Sequence, residues 1–233
     1  MVSIADSVAV VTGGRQGLGA ALVDALLERG ATKVYSTGRH HFTDPRPRVS
    51  PQVLDVRDDR SVAEFAAVAS DATIVVNNAG ISLPGPLLSA DLADAREMVE
   101  TNVFGPLRVT RAFATTLATN GGGALVNIAS VLSWLAGAGA YGASKAALWS
   151  LTNSLRLELT GQGTQVLGVH VSFIDTEMVA GIAVAKTAPA EVARRIADAL
   201  EADASEVLVD EASKQTKTAL GGPVENLVID RFS

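Results

Sequence analysis

Short apolar runs that do not alternate with polar residues recur along this chain, and each is followed by a segment of helical periodicity. Examples are SVAVVTGG (7–14), TIVVNNAG (73–80) and ALVNIAS (124–130). A strand that is apolar at successive positions is buried on both faces, which is typical of a parallel sheet covered by helices. The pattern therefore predicts an α/β fold in which a doubly wound, mostly parallel sheet carries helices on both faces.

The same pattern gives the order of the elements. Strands are predicted at residues 7–14, 33–38, 52–56, 73–80, 124–130, 165–174 and 206–210, and helices at 17–30, 58–70, 91–100, 102–119, 141–160 and 189–202. The joint at 40–51 contains three prolines, which argue against a crossover helix, so we expect an irregular loop or a single turn there. The chain shows no linker or repeat, which indicates a single Rossmann-type domain over residues 1–233 with about seven strands.

Composition argues against several other classes of protein. The chain has 233 residues, of which 48% are hydrophobic, so it can bury a large core. Its net charge of -6 would repel nucleic acid and anionic membranes, and neither is an expected partner. It has no cysteine, and its three histidines lack zinc spacing, so we expect no disulfide and no metal site. We see no signal peptide or membrane-spanning run and expect a cytoplasmic protein.

The turn after the first strand is rich in glycine. Its sequence TGGRQGLG (12–19) has the spacing T-G-x-x-x-G-x-G at the head of a strand–helix unit. Glycine permits a tight turn and a close approach to phosphate, and the following helix offers free N–H groups. We expect a dinucleotide pyrophosphate to bind here, and the alternative is a glycine-rich turn with no ligand. The expected contacts are Thr12, Gly13, Arg15, Gln16, Gly17, Leu18 and Gly19.

The residues after the second strand bear on which dinucleotide binds. An acidic residue there would bind a ribose diol, but the strand ends in Gly38 and Arg39. Arg39 and Arg15 would together pair with a 2′-phosphate, so we expect a preference for NADP(H). The alternative is that Arg39 is solvated and NAD(H) is accepted as well. After the next strand, Asp55 beside Val56 is expected either to accept a hydrogen bond from adenine or to cap the following helix.

A candidate proton-transfer set lies within SVLSWLAGAGAYGASK (130–145). Tyr141 and Lys145 are one helical turn apart and share a face. A nearby ammonium would lower the pKa of the tyrosine, which could then exchange a proton with a carbonyl oxygen. Ser130 ends a predicted buried strand, where the carboxyl ends of parallel strands face a ligand crevice, so its hydroxyl could donate to that carbonyl.

Together these motifs resemble those of the short-chain dehydrogenase/reductase family. The resemblance rests on TGxxxGxG, NNAG at 77–80, Asn102, Ser130 and YxxxK, and it runs from about Ser7 to Asp210. It implies a nicotinamide cofactor and a Ser–Tyr–Lys catalytic site, which Asn102 completes by helping to hold a water of a proton relay. It also implies cofactor contacts for Asn78, Ala79, Gly80, Tyr141, Lys145 and Thr176.

Two positions depart from the family pattern. Tyr141 follows Ser130 by eleven positions, about two fewer than the family usually has, so either the loop is shortened or Ser133 takes the place of Ser130. We favour Ser130 because a strand end is more rigid than a loop. Val171 and Ser172 stand where many relatives have Pro-Gly, and the side chain of Ser172 is expected to crowd the cofactor or to reshape that loop.

The resemblance predicts an NADP(H)-dependent carbonyl reductase or alcohol dehydrogenase acting on a small molecule. The alternatives are a catalytically weak NADP(H)-binding regulatory protein and an epimerase or dehydratase on the same scaffold. Specificity is expected in loops 83–90, 131–140 and 175–188, whose apolar character favours a hydrophobic ketone or aldehyde. Trp134 is expected to line the pocket or to pack, and Trp149 to pack in the core or at an interface of a homodimer or homotetramer.

Overall fold

The computed structural model describes residues 2–83 and 85–229. The strands in these ranges are β1 (Val8–Val11), β2 (Lys33–Gly38), β3 (Val49–Val53), β4 (Ile74–Asn77), β5 (Ala124–Ile128), β6 (Gln165–His170) and β7 (Glu206–Leu208). The α-helices are α1 (Gly17–Glu28), α2 (Asp59–Val68), α3 (Leu92–Val99), α4 (Gly105–Thr119), α5 (Gly139–Leu159), α6 (Pro189–Glu201) and α7 (Glu211–Ala219). A π-helical turn, Glu100–Phe104, joins α3 to α4, and short 3₁₀ turns occupy Val131–Ser133 and Glu177–Val179.

All seven strands belong to one parallel sheet in the order β3-β2-β1-β4-β5-β6-β7. The chain winds outward from β1 to β3 and then returns to the other side of β1 to form β4. This reversal opens a crevice at the carboxyl ends of β1 and β4, where doubly wound folds bind their ligands. The predicted fold class is therefore confirmed.

Apolar side chains from both faces of the sheet form two separate cores. On one face, residues such as Val11 and Val76 pack with α1 and α6. On the other face, residues such as Val10 and Val75 pack with α2, α4 and α5. Successive residues of one strand thus enter opposite cores, which explains the lack of alternation in the sequence. Among the described helices, none is both long and apolar enough to span a bilayer.

Strand β3 begins earlier in the chain than its apolar pattern suggests. It spans Val49–Val53 instead of the predicted 52–56, and its Pro51 pairs with Ser36 of β2. Proline is tolerated because β3 is an edge strand with a neighbouring strand on one side only. Its missing backbone N–H therefore leaves no second strand without a hydrogen-bond donor. Residues 39–48 form no helix, which confirms the irregular joint between β2 and β3.

Helix α7 was not predicted, because its sequence EASKQTKTA has no apolar stripe. Its buried residues are Ser213 and Thr216, which are small and polar. The helix is instead fixed at its start by the Asp210 side chain, which accepts hydrogen bonds from the Ser213 backbone N–H and hydroxyl. An N-cap of this kind satisfies a backbone donor that would otherwise be left without a partner.

Candidate active site

A cavity of about 560 Å³ lies at the carboxyl ends of the central strands. Its walls bring together most of the residues that the sequence singled out. These are Gly13, Arg15, Gln16, Gly17, Leu18, Gly19, Arg39, Asp55, Val56, Asn78, Ala79, Gly80, Ser130, Tyr141, Lys145 and Thr176. Thr12 and Asn102 lie behind the wall and support it.

The glycine loop has the geometry of a phosphate cradle. Gly13 and Gly17 have φ of 65° and 55°, values in the left-handed region that favours glycine. A Cβ on Gly19 would lie 2.1 Å from the Gly13 carbonyl oxygen, so only glycine fits where α1 meets the loop. Gln16 precedes α1 without capping it by its side chain, and the first N–H groups of the helix are left for an anion. The loop therefore fits the pyrophosphate of a dinucleotide.

Thr12 and the NNAG turn hold this loop against β4. The buried Thr12 hydroxyl accepts hydrogen bonds from the backbone N–H groups of Asn78 at 2.9 Å and Ala79 at 3.0 Å. The Asn78 side chain donates back to the Thr12 carbonyl at 2.9 Å. Asn77 bonds to Asn127 of β5 at 2.9 Å in the core, so the NNAG turn both supports the sheet and borders the cavity.

Two arginines, Arg15 and Arg39, border the cavity, and Arg39 acts electrostatically on Asp55. Neither Arg15 nor Arg39 forms an ion pair or a hydrogen bond with any other residue in the described ranges 2–83 and 85–229. Both guanidiniums are exposed and available to an anionic group.

Asp55 does not cap helix α2, so this alternative is wrong. The cap is Asp58, whose side chain accepts hydrogen bonds from the backbone N–H groups of Arg60 and Ser61. Asp55 instead pairs with Arg57, whose guanidinium lies 2.7 Å from its carboxylate and holds the pKa of that carboxyl below its usual range. Asp55 still borders the cavity as a fixed anion.

Tyr141 and Lys145 occupy the first turns of α5, and Ser130 follows β5. Lys145 is buried, and its Nζ donates to the Ile128 carbonyl oxygen at 2.8 Å. Burial lowers the pKa of Lys145 to about 8. Burial raises the pKa of Tyr141 to about 12, and a hydrogen bond with the Ser130 side chain acts in the opposite direction. With these pKa values, the Tyr141 phenol is protonated at neutral pH, and the Lys145 ammonium loses its proton near pH 8.

The direction of the Tyr141 pKa shift differs from the sequence-based expectation. The Lys145 Nζ lies 5.8 Å from the centre of the Tyr141 ring and is directed to the Ile128 carbonyl. Loss of solvent around the phenolate therefore outweighs the attraction of the ammonium. In this structure Tyr141 is therefore protonated at neutral pH.

Ser130 and Ser133, the two candidates for the catalytic serine, differ in their position relative to the cavity. Ser130 borders the cavity, and its Oγ accepts a hydrogen bond from the Leu132 N–H at 3.1 Å. The Ser133 hydroxyl is buried and has no hydrogen-bond partner in the described part of the chain, and Ser133 does not line the cavity. The short loop leaves Ser130 at the strand end, where it meets Tyr141.

Asn102 lies in the π-helical turn between α3 and α4. Its side-chain oxygen accepts from the Ile81 N–H at 2.9 Å, and its amide nitrogen donates to the Ile81 carbonyl at 2.9 Å and to Ser144 at 3.0 Å. Single π-turns of this kind often occur at functional sites. A Cβ on Gly80 would lie 3.1 Å from the Asn102 oxygen, so Gly80 lets this amide approach the cavity wall.

At the second departure, Ser172 lines the cavity and is bound to Asp210. The hydroxyl donates to the Asp210 carboxylate at 2.6 Å, and the Ser172 backbone N–H donates to the same oxygen at 2.7 Å. Because Asp210 also caps α7, the loop after β6 is tied to that helix. The Ser172 hydroxyl is thus held by Asp210 at the border of the cavity.

The two tryptophans pack against each other beneath the loop after Ser130. Trp134 is 7% exposed, and its ring meets that of Trp149 edge-on at 5.8 Å. Trp134 does not line the cavity, so packing is its role in this structure. The half-buried Trp149 contacts the same cluster, which also includes Leu135.

Several cavity residues belong to no motif and were missed. Thr101 lines the wall with a buried hydroxyl that has no partner within the described ranges. Arg57 also lines the cavity beside Asp55, and Ile81 and Val179 contribute apolar surface. Only the position of Arg57, two residues after Asp55, offered a signal in the sequence.

Comparison with known proteins agrees with this geometry. The family profile described as short chain dehydrogenase matches residues 7–187. Sulfoacetaldehyde reductase 2 of Chromohalobacter salexigens is 36% identical over 186 residues, which make up 73% of this chain and 73% of that protein. Galactitol 2-dehydrogenase of Rhizobium johnstonii is 34% identical over 191 residues, which make up 75% of this chain and 74% of that protein.

Solved structures give the same assignment. A short chain dehydrogenase from Burkholderia cenocepacia J2315, crystallised in complex with NADP, matches this chain with a TM-score of 0.92 and 38% sequence identity. The match covers 97% of this chain and 97% of that one. A short-chain dehydrogenase from Streptomyces avermitilis has a TM-score of 0.83 at 27% identity, with 92% of each chain covered. The profile, the identities and the structural likeness agree, and the chain belongs to the short-chain dehydrogenase/reductase family of oxidoreductases.

Proposed function

We propose that this protein is an NADP(H)-dependent carbonyl reductase or alcohol dehydrogenase with one catalytic domain over residues 1–233. The observation that carries the proposal is that Ser130, Tyr141 and Lys145 line one cavity together with Arg15 and Arg39, which form no ion pair or hydrogen bond in the described ranges. A binding protein without activity has no need of the first three groups. The Burkholderia cenocepacia structure in complex with NADP supports the choice of cofactor.

The proposed roles follow from the positions of the side chains. When bound, the reduced nicotinamide supplies a hydride to the carbonyl carbon. The Ser130 hydroxyl donates a hydrogen bond to the carbonyl oxygen, and the Tyr141 phenol transfers its proton to the same oxygen. Lys145 stabilises the resulting phenolate and holds a ribose hydroxyl of the cofactor. Asn102 fixes the loop at Ile81 and completes a water-mediated proton relay.

The proposed contacts to the cofactor extend along the whole cavity. The glycine loop binds the pyrophosphate, and Arg15 and Arg39 bind the 2′-phosphate. Asp55 and Val56 border the adenine. Thr176, which borders the cavity beside Gly17, is proposed to contact the nicotinamide carboxamide, as the family resemblance implies. The NNAG turn supports the middle of the cofactor through Asn78, Ala79 and Gly80.

The proposed substrate is a small uncharged ketone or aldehyde. The cavity lining includes the apolar side chains of Ile81, Ile174, Met178 and Val179, which favour such a substrate. We also propose that the protein acts in the cytoplasm as a homodimer or homotetramer. A relative is named a sulfoacetaldehyde reductase, and a sulfonated aldehyde therefore belongs in any substrate panel.

The first experiment is a screen of uncharged and sulfonated aldehydes and ketones with NADPH and with NADH. Each reaction is monitored by the absorbance of the reduced nicotinamide. Oxidation of NADPH by an uncharged carbonyl compound is the expected result. Tight NADPH binding without oxidation would favour a regulatory protein. Conversion of substrate without net cofactor oxidation would favour an epimerase or dehydratase.

The variant Arg39→Ser tests the cofactor preference. Loss of a charge-assisted hydrogen bond of about 1.5–3 kcal/mol is expected to lower kcat/KM with NADPH by about 10- to 150-fold. With NADH, kcat/KM should stay within about threefold, because NADH carries no 2′-phosphate. The control is Arg60→Ser, since Arg60 is exposed and paired with Glu64 outside the cavity. Equal losses with both cofactors would argue against this role of Arg39.

Matched alanine variants distinguish the two serines. Ser130→Ala should lower kcat by about 100-fold, because it removes a donor to the developing oxyanion. Ser133→Ala should leave kcat within about threefold, since that hydroxyl faces the protein interior. Steady-state kinetics on the substrate from the screen, with thermal unfolding as a check on folding, measures both. The opposite ranking would assign the catalytic serine to Ser133.

A further inference from the structure

His170 is a buried titratable residue that the proposed mechanism does not use. It is the last residue of β6, is 0% exposed, and its Nδ1 lies 3.1 Å from the backbone carbonyl oxygen of Ser130. A carbonyl oxygen can only accept, so Nδ1 must carry the hydrogen. His170 therefore donates a hydrogen bond to the peptide group of the proposed catalytic serine.

The other side of the imidazole is enclosed by a fixed set of neighbours. The ring stacks on Trp134 at 4.0 Å with an angle of 21° between the planes. Nε2 makes no hydrogen bond in the described part of the chain and lies 3.5 Å from the carboxylate of Glu206 on β7. Lys217 of α7 holds that carboxylate at 2.7 Å and lies 5.0 Å from the centre of the Trp134 ring.

These surroundings keep the imidazole neutral and its orientation fixed. Burial lowers the pKa of His170 to about 4, although Glu206 acts in the opposite direction. A neutral imidazole has one N–H group, and the contact with Ser130 determines that it is on Nδ1.

The peptide group that His170 holds sets the course of the shortened loop. Ser130 has an extended backbone with ψ of 157°, and its carbonyl also accepts from the Ser133 N–H at 3.1 Å. The next N–H, that of Val131, donates to the Val171 carbonyl at 3.0 Å. Rotation of the Ser130 carbonyl would break these contacts and change the direction from which the serine side chain meets Tyr141.

We propose that His170 is a positioning residue that orients Ser130 for carbonyl reduction by donating its Nδ1–H to the Ser130 carbonyl oxygen. This role rests on the proposed function of Ser130. It assigns a purpose to a buried histidine that belongs to none of the motifs of the site. It also accounts for how a loop about two residues shorter than usual keeps its serine in place.

Two substitutions separate the hydrogen bond from the packing. His170→Asn keeps a donor near the position of Nδ1 but loses the stack on Trp134. His170→Phe keeps the stack but has no donor. We expect kcat within about threefold of wild type for Asn and about 10- to 100-fold lower for Phe, with the dissociation constant for NADPH unchanged in both. Thermal unfolding should show the reverse order, with the larger loss of Tm for Asn.

Activity that follows Tm, so that the Asn variant is as slow as the Phe variant or slower, would overturn the proposal. If the Phe variant does not fold, His170→Leu replaces it as the variant without a donor. A Tyr141→Phe variant assayed in parallel separates the two claims. Normal turnover by that variant refutes the proposed mechanism, whereas its inactivity together with an active His170→Phe variant refutes only the role of His170.

A spectroscopic measurement tests the same contact without turnover. The chain has three histidines, so the ¹⁵N shifts of its imidazole nitrogens can be assigned by substitution. In the wild-type protein with NADPH bound, we expect His170 to have its proton on Nδ1 and to show no titration between about pH 8 and about pH 5. A proton on Nε2, or titration with an ordinary pKa, would contradict the inferred hydrogen bond.

Discussion

Replacement of Tyr141 with Phe is expected to lower kcat by about 1,000-fold, because it removes the group that transfers the proton to the carbonyl oxygen. The phenol is protonated throughout the neutral range, since burial raises the pKa of Tyr141 to about 12. Phe fills the same space and changes nothing in the glycine loop. The dissociation constant for NADPH should therefore stay within about threefold, as measured by fluorescence titration.

The second tyrosine of the chain supplies the control. Tyr35 lies in β2, where its hydroxyl accepts from Lys33 and donates to Asp71 at 2.9 Å, away from the cavity. Tyr35→Phe should leave kcat within about threefold while lowering the free energy of unfolding by about 1 kcal/mol. A Tyr141→Phe enzyme that turns over at the wild-type rate would refute the proposed proton transfer.

Replacement of Lys145 with Met is expected to abolish most of the activity and to stabilise the fold. The ammonium that stabilises the phenolate is lost, which should lower kcat by about 100-fold. The pKa of Lys145 is lowered from 10.5 to about 8. Below pH 8 the buried ammonium therefore lowers the free energy of unfolding of the wild type by about 3 kcal/mol. The lost hydrogen bond to the Ile128 carbonyl offsets about 1 kcal/mol of the gain. The net gain of about 2 kcal/mol should raise Tm by about 4–8 °C.

The pH dependence has a definite sign. Below pH 8 the lysine is protonated in both the folded and the unfolded state, and the full penalty is present. Between about pH 8 and pH 10.5 the folded state releases the proton first, so the free energy of unfolding of the wild type rises with pH. The difference between the Met variant and the wild type should shrink across this window. Reductive kcat of the wild type should also fall above about pH 8, as the ammonium is lost.

Lys214→Met is the matched control, because Lys214 is exposed on α7 and does not line the cavity. It should change neither kcat nor the pH dependence of unfolding. Urea unfolding at pH 7 and at pH 10 measures the second quantity. A Lys145→Met protein that is less stable than wild type at pH 7 would show that the ammonium stabilises the fold, contrary to this account.

The fold and the main site could be predicted because they depend on local pattern. Apolar runs buried on both faces indicated the parallel sheet. The glycine loop could be located because its tight contact between Gly19 and the Gly13 carbonyl requires glycine, which leaves a recognisable spacing in the sequence. Ser130, Tyr141 and Lys145 then meet because strand β5 and helix α5 deliver them to the same edge of the sheet.

Other features depend on contacts between distant segments and leave no local signal. Helix α7 is built on buried Ser213 and Thr216, which look like surface residues in the sequence. The effect of Lys145 on Tyr141 was expected from their spacing, but burial and the Ile128 carbonyl decide it. The contact of His170 with Ser130 joins residues forty positions apart in the chain.

Transfer of deuterium from the cofactor tests the central claim most directly. The wild-type protein is incubated with NADPH deuterated at both positions of nicotinamide C4 and with the carbonyl compound found in the screen, and the product is examined by mass spectrometry. We predict an alcohol that carries one deuterium on the former carbonyl carbon, formed in equal amount to NADP⁺ and lost in the Tyr141→Phe variant. A product without deuterium, or one formed without NADP⁺, would contradict the assignment as a carbonyl reductase.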